Sequence, residues 1–230
     1  MGGPPPRFWL PRAPESCIFG REEQALQEAL SDLRGQAQSG GEVHGLTADQ
    51  SKPEDVTRVF QEAEQRLGGV DILVNNAAQA AGSILDSDYS KWAYVVQTNV
   101  LGYMACCREA VDRMKARGGG HIVNVGSLSA KVRESGSDIY VATKAAIEGF
   151  SEALRKQVNE RGIKVTLIEP GLVGTDMTAS NTPPAEQPQK EREGQMLTAE
   201  DLARSVLYAL QQPPRCDVIL IQIRPHGQAI

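Results

Sequence analysis

The 230-residue sequence contains no apolar run that is long enough to span a bilayer. Residues 1–14 are rich in glycine and proline and contain no apolar stretch of the kind found in secretory signals. Pro6 does not fit the pattern for N-terminal myristoylation. We therefore expect an irregular tail over residues 1–15 and a cytoplasmic protein without a membrane span. The arginines of the tail leave a mitochondrial location as the alternative.

The sequence also has few cysteines and histidines, and its net charge is negative. None of the four cysteines forms a C-x-x-C pair, and the three histidines stand far from each other and from any cysteine cluster. These spacings predict no metal site and free thiols in a reducing compartment. The formal net charge of -5 argues against nucleic acid as the main partner, because that partner requires a basic face. The negative net charge does not argue against a small anionic cofactor, because one basic residue can hold a phosphate.

Apolar residues make up 40% of the chain and occur in short runs between longer helical patterns. The runs are β-branched without polar alternation, as in strands covered by helices on both faces. Strands that alternate with helices predict βαβ units and a Rossmann-like, doubly wound parallel sheet in one α/β domain over residues 16–230. The predicted strands are 16–19, 42–46, 71–74, 121–125, 164–168 and 218–223, and the predicted helices are 22–38, 53–67, 89–117, 138–161 and 198–211.

One polar, proline-rich stretch interrupts this alternation. It covers residues 178–196 and lies between a predicted strand and the last predicted helix. A connection of this length inside a compact domain is either functional or disordered. Its composition fits a substrate lid and a plain flexible insertion equally well.

Tyr140 and Lys144 stand four residues apart at the start of a predicted helix, in Y-V-A-T-K. That spacing places both side chains on one helix face. A phenol exchanges protons poorly at neutral pH, and a nearby ammonium lowers its pKa. The pair is therefore a candidate general acid and base for a carbonyl oxygen, although a solvated surface pair has the same spacing.

Ser127 strengthens this interpretation because of its position. It follows the predicted strand H-I-V-N-V directly, in V-G-S, and precedes Tyr140 by thirteen residues. Ligands of parallel sheets bind at the carboxyl ends of the strands. A serine hydroxyl there can stabilise a developing alkoxide, whereas the alternative is an ordinary turn serine.

The combination of V-G-S and Y-V-A-T-K resembles the active site of the short-chain dehydrogenase/reductase family. Other family motifs follow the expected order: L-T-A-D ending at Asp49, D-I-L-V-N-N-A-A from residue 71, Q-T-N-V with Asn99, and P-G-L-V-G-T-D from Pro170. The resemblance covers residues 16–224. It implies a nicotinamide-dependent oxidoreductase in which the cofactor supplies the hydride.

The resemblance also implies roles for individual residues. Tyr140 is the expected proton donor, and Ser127 is expected to orient the substrate carbonyl. Lys144 is expected to lower the tyrosine pKa and to hold the nicotinamide ribose, with Asn99 holding a water in a proton relay behind it. The cofactor contacts implied by the motifs are Asp49 at the adenine and Asn76, Ala77, Ala78, Tyr140, Lys144, Pro170, Gly171, Val173 and Thr175.

Arg21 bears on the choice of cofactor. It follows the first predicted strand, in I-F-G-R, with no acidic residue before Glu22. In doubly wound folds an acid at this point binds the ribose hydroxyls of NAD, while an arginine accepts the 2′-phosphate of NADP. We therefore predict NADP rather than NAD, the alternative being an ordinary arginine beside a helix.

The family's opening strand, its T-G-x-x-x-G-x-G turn and the helix that follows are absent from the sequence. Within the family's strand order, 3-2-1-4-5-6-7, the absent strand is central, so we expect unpaired backbone groups inside the sheet. Residues 7–10 are too short and too close to prolines to serve as a full strand. Because the glycine turn holds the cofactor's pyrophosphate, we expect a truncated form that binds cofactor weakly.

Two hypotheses follow for the function. The first is an NADP-dependent carbonyl reductase or alcohol dehydrogenase acting on a small molecule. The second is a catalytically impaired protein of the same fold that acts as a non-enzymatic partner.

The resemblance further implies a homodimer or homotetramer that associates through the helices 89–117 and 138–161. Ala78, where the family usually has glycine, is expected to be harmless unless that position needs a positive φ.

Overall fold

The computed structural model describes residues 15–36, 41–179 and 182–228. The strands are β1 (Ser16–Gly20), β2 (Val43–Thr47), β3 (Ile72–Asn75), β4 (Gly120–Val125), β5 (Ile163–Pro170) and β6 (Leu220–Ile223). The helices are α1 (Glu23–Gln36), α2 (Pro53–Leu67), α3 (Tyr89–Val96), α4 (Gly102–Arg117), α5 (Ser129–Val132), α6 (Asp138–Val158), α7 (Gln187–Arg192) and α8 (Ala199–Leu210). Most of the predicted tail, including residues 7–10, lies outside the described part of the chain.

The strands form two parallel sheets. One has two strands in the order β1-β2, and the other has four in the order β3-β4-β5-β6. This arrangement confirms the predicted Rossmann-like α/β fold. None of the described strands pairs with the free edge of β1 or with the free edge of β3. The gap between these two edges is the position predicted for the absent strand.

One apolar cluster joins the two sheets. Side chains from α2, α4 and α6 pack against Cys17 and Phe19 of β1 and against Leu73 of β3. Ile18, which points the opposite way from its strand neighbours, packs instead against α1. Helices therefore lie on both faces of the β1–β2 sheet, and the shared helical layer, rather than a strand, connects the two sheets.

The helix boundaries agree closely with the predictions where local signals are strong. Helix α2 begins at Pro53, as predicted, and is capped after Leu67 by Gly68, whose φ of 71° is the left-handed conformation that glycine favours. Helix α8 begins with a reciprocal capping box between Thr198 and Asp201. These signals are local, so the sequence alone locates them.

Three departures from the predicted pattern occur near the cavity described below. The predicted helix 89–117 contains a π-helical turn over Gln97–Leu101, which separates α3 from α4. The short helix α5 follows β4 and was not predicted. The polar stretch 178–196 is packed rather than structureless over its described residues, because it contains α7 and the buried Met196.

No helix in the described ranges is long and apolar enough to cross a membrane. Within the same ranges no three histidine, cysteine, aspartate or glutamate side chains are grouped as metal ligands.

Candidate active site

The site lies where β4 and β5 end. The residues that follow β4 continue to bond to β5: Gly126 N donates to Ile168 O (2.7 Å), and Leu128 N donates to Pro170 O (3.0 Å). The V-G-S segment and the P-G segment are therefore neighbours at the carboxyl edge of the sheet, which is where doubly wound folds bind their ligands.

A cavity of about 630 Å³ opens at this edge. Ser127 and Tyr140 both line it, so the structure brings the two predicted catalytic hydroxyls to the same space. The other lining residues come from the loop after β3, α3, the α5 region, the P-G segment with the residues after it, and the C-terminal turn, and include Gly82, Lys91, Glu134, Gly171, Met177 and Gln228.

Lys144 lies one helical turn after Tyr140 in α6 and does not itself line the cavity. It is only 2% exposed, and its Nζ donates to the carbonyl of Val125 (2.8 Å) while lying 5.6 Å from the ring centre of Tyr140. Burial lowers the pKa of Lys144 to about 8. Tyr103 donates to the same Val125 carbonyl (3.2 Å), which fixes the acceptor; sequence reasoning did not identify this residue.

The pKa of Tyr140 shifts in the opposite direction from the prediction. Burial raises the pKa, the hydroxyl of Ser127 lowers it in part, and the carboxylate of Glu134 raises it again. The expected lowering by Lys144 is absent because the ammonium lies over the ring rather than at the hydroxyl, and burial disfavours the phenolate. Burial therefore favours the protonated phenol of Tyr140, which is the form that has a proton to donate.

Asn99 sits in the π-helical turn and is 1% exposed. Its Oδ1 accepts from Gln79 N (2.7 Å), and its Nδ2 donates to Gln79 O (2.9 Å) and to the hydroxyl of Thr143 (3.2 Å). Asn99 thus ties the loop after β3 to the residue that precedes Lys144. The π turn carries no sequence signal, although such turns are frequent at functional sites.

The predicted cofactor residues Asn76, Ala77 and Ala78 lie in the loop that follows β3. Gln50, which is buried, holds this loop by donating to Ala77 O (3.0 Å) and to Thr98 O (2.8 Å). Among the described residues other than glycine, only Arg133 has a positive φ. Ala78 therefore needs no glycine, as expected.

Asp138 fixes one wall of the cavity and was not recognised in the sequence. It lies two residues before Tyr140, and its carboxylate accepts from Ser83 Oγ (3.2 Å) and from Ile84 N (2.9 Å). The loop that lines the cavity at Ala80–Gly82 is thereby attached to the start of α6. Its only sequence signal is an acid in the first turn of a helix.

The predicted cofactor residues Pro170, Gly171, Val173 and Thr175 continue from the end of β5 along the opposite wall. Here the backbone of Val173 bridges to Leu197, where the polar stretch returns to the domain. Three hydrogen bonds that sequence reasoning missed hold this segment: Gln187 donates to Thr175 O (3.1 Å), Gln228 accepts from Leu172 N (3.1 Å), and Gly174 N donates to Leu197 O (2.9 Å).

The other two predicted cofactor residues lie on the far side of the gap between the sheets. Arg21 follows β1 and Asp49 follows β2, so both stand at the carboxyl edge of the two-stranded sheet. The structure therefore brings Ser127 and Tyr140 to one cavity, with the buried Lys144 in α6 and the buried Asn99 beside that helix, and places Arg21 and Asp49 in a second group.

The chain matches the family model described as short chain dehydrogenase over residues 13–186. The matched range includes the V-G-S, Y-V-A-T-K and P-G-L-V-G-T-D motifs. The protein belongs to the short-chain dehydrogenase family, as the resemblance in its sequence predicted.

Individual relatives agree with this assignment. An uncharacterized oxidoreductase of Staphylococcus aureus is 34% identical over 209 residues, covering 90% of this chain and 85% of the relative. A farnesol dehydrogenase of Aedes aegypti is 37% identical over 195 residues, covering 81% and 76%. The L-sorbose reductase of Gluconobacter frateurii, solved with NADPH and L-sorbose, superposes with a TM-score of 0.80 at 25% identity, covering 92% of this chain and 86% of that one.

Proposed function

We propose that the protein interconverts a carbonyl and an alcohol by hydride transfer with NADP(H), and that Tyr140 is its general acid and base. The observation that carries the proposal is that Ser127 and Tyr140 line one cavity, with the Nζ of the buried Lys144 5.6 Å from the centre of the Tyr140 ring. Among the described lysines, Lys144 is the only one that is buried.

The hydrogen bonds suit the proposed roles. Ser127 Oγ accepts from Ser129 N (3.1 Å), which holds the serine hydroxyl at the cavity; its proton would turn from the Tyr140 oxygen to a carbonyl oxygen bound there. Tyr140, as a neutral phenol, then gives its proton to that oxygen during reduction and takes it back during oxidation. Lys144 is held by Val125 O, which keeps its ammonium beside the tyrosine and within reach of a bound ribose.

NADP(H) supplies the hydride when it is bound. The residues that would hold it are Lys144 and the segment 170–175 at the nicotinamide end, with Asp49 and Arg21 at the adenosine end. Arg21 suits an anionic group, because none of the described carboxylates lies within ion-pair distance of its guanidinium. The cofactor in the related L-sorbose reductase structure is NADPH, in agreement with this choice.

The test is an assay of NADPH oxidation with a panel of aldehydes, ketones, hydroxysteroids and sugars at millimolar NADPH. Tyr140→Phe should lower turnover by roughly 10²–10⁴-fold, the usual contribution of a general acid. Tyr89→Phe is the matched control, since Tyr89 is 78% exposed and does not line the cavity. Equal turnover in Tyr140→Phe and the parent chain would refute the assignment of Tyr140.

A second candidate function, a non-enzymatic partner with this fold, is favoured by one observation. In the gap between the two sheets, where the edges of β1 and β3 have no partner, the described residues supply no strand, and the family's glycine-rich turn that holds a pyrophosphate is absent from the sequence. Under this alternative, the chain binds NADPH weakly and reduces no carbonyl in the panel. The same assay, run beside an NADPH titration, therefore separates the two candidates.

We also propose a homodimer or homotetramer that associates through the helices 89–117 and 138–161. Val96 and Leu101, which lie on the first of these segments, are 40% and 54% exposed despite their apolar side chains. Leu101→Asp should shift the sedimentation of the protein toward the monomer. A parent chain that sediments as a monomer would contradict this proposal.

A further inference from the structure

The carboxyl ends of β1 and β2 carry a third side chain that no family motif includes. Tyr94 of α3 reaches Arg21 and Asp49 together: the guanidinium of Arg21 donates to the Tyr94 hydroxyl, which in turn lies 3.4 Å from Asp49 Oδ2. The Arg21 guanidinium carbon is also 5.7 Å from the centre of the Tyr94 ring. One tyrosine therefore connects the two residues assigned to the adenosine end of the cofactor.

The connection begins at a fixed point. Asp49 Oδ1 accepts from Ser51 N (2.9 Å), and Asp49 N donates to Asp55 Oδ2 (2.9 Å), so the carboxylate is held by the turn that follows β2. Asp49 Oδ2 faces the Tyr94 hydroxyl, which donates to it while accepting from Arg21. The order Asp49, Tyr94, Arg21 thus extends from a rigid turn to an exposed cation.

Arg21 would otherwise be mobile, because its long side chain is exposed and pairs with none of the described carboxylates. The tyrosine limits this mobility in two ways, through a hydrogen bond and through contact with the ring face. It leaves the guanidinium without a direct ion pair to the described carboxylates, since a phenol is neutral. An arginine restrained in this way is prepared to bind a phosphate with little loss of side-chain entropy.

We propose that Tyr94 is a positioning residue for NADP specificity, holding Arg21 where the 2′-phosphate of the adenosine ribose binds. The proposal rests on the cofactor choice under the proposed function. It concerns only the adenosine end, and therefore does not depend on whether Tyr140 is the acid. The hydroxyl of Tyr94, rather than its ring alone, carries the effect, because that oxygen is the atom shared with Arg21 and Asp49.

The test uses adenosine 2′-monophosphate and adenosine as probes, because neither needs a pyrophosphate site or any turnover. Their dissociation constants are measured by NMR titration of the full 230-residue chain. The parent chain should prefer the phosphorylated probe, and Arg21→Gln should abolish that preference. Tyr94→Phe should reduce the preference by roughly 2–10-fold, the change expected when one hydrogen bond is lost.

Two controls separate this role from a structural one. Tyr89→Phe, also on α3, should leave both dissociation constants unchanged, and thermal melts should show all variants folded. Tyr140→Phe should bind both probes normally, so a failure of the catalytic assignment leaves this result intact. The proposal is overturned if the parent chain shows no preference for the 2′-phosphate. It is also overturned if Tyr94→Phe keeps the full preference or weakens both probes equally.

Discussion

The four-stranded sheet and the two-stranded sheet differ in how completely they are enclosed. Strand β4 pairs on both sides and all its residues are buried, whereas β1 pairs only with β2 among the described strands and none of its residues is fully buried. The residues proposed as catalytic depend on the first sheet, and Arg21 and Asp49 on the second. The part of the domain that holds the reacting groups is therefore built more rigidly than the part assigned to the adenosine.

The edge between the two regions shows the same contrast. On β3, Ile72 and Val74 are 40% and 43% exposed, while Asn75 at its end is buried in a polar network with Asn124 and Cys107. Gln50 and the shared apolar cluster hold the regions together instead of strand pairing. Side-chain contacts thus hold the two sheets next to each other although no backbone hydrogen bonds join their described strands.

The largest expected effect is on hydrogen exchange. The amides of β4 should exchange only through global unfolding, because they lie in a ladder with neighbours on both sides. Those of β1 should exchange through local opening, at least about a thousand times faster, which corresponds to about 4 kcal/mol. Mass spectrometry of peptides covering 16–20 and 120–125 measures the ratio, and similar rates would remove the distinction between the two sheets.

A second comparison uses matched isoleucines. Ile122 of β4 is fully buried in the main cluster, while Ile18 of β1 is only partly buried against α1. Ile122→Ala should lower the free energy of unfolding by about 3–4 kcal/mol, as expected for a core cavity, and Ile18→Ala by about 1 kcal/mol. Urea denaturation of both variants is the measurement. Equal losses would indicate that the two-stranded sheet is packed as tightly as the other.

The smallest effect is a dependence on pH in the four-stranded sheet. Burial lowers the pKa of His121 to about 4, and its ring nitrogen meets the hydroxyl of Thr166 (2.8 Å). The unfolded chain binds this proton first, so the stability from His121 is complete above about pH 6.5 and is lost as the pH falls toward 4.

At pH 5.5 the loss from this histidine should amount to about 1 kcal/mol relative to pH 7.5. His121→Gln keeps a donor for Thr166 without a titrating group, so the variant should lose less stability than the parent over that interval. Denaturant midpoints at the two pH values give the difference. An identical loss in both proteins would show that His121 does not titrate on unfolding.

The sequence predicted the features that depend on short-range patterns. The alternation of strands and helices, the bounds of α2 and α8, and the family motifs are all local, and the structure agrees with them. The π turn at Asn99 and the contact between Asp138 and Ile84 depend on packing between distant segments. Likewise, the raised pKa of Tyr140 follows from burial, which the spacing of two residues does not reveal.

In the proposed mechanism, the four-stranded sheet carries the catalytic residues and the two-stranded sheet carries the residues that bind the adenosine end of the cofactor. This separation is tested most directly by steady-state kinetics on two variants, with NADPH and any carbonyl that the parent chain reduces. Tyr140→Phe should lower kcat by at least about 100-fold and leave the KM for NADPH nearly unchanged. Arg21→Gln should raise the KM for NADPH by about 10–100-fold, since a charge-assisted hydrogen bond is lost, with little change in kcat. If Arg21→Gln instead lowers kcat as strongly as Tyr140→Phe does, the two sheets do not have the separate roles proposed for them.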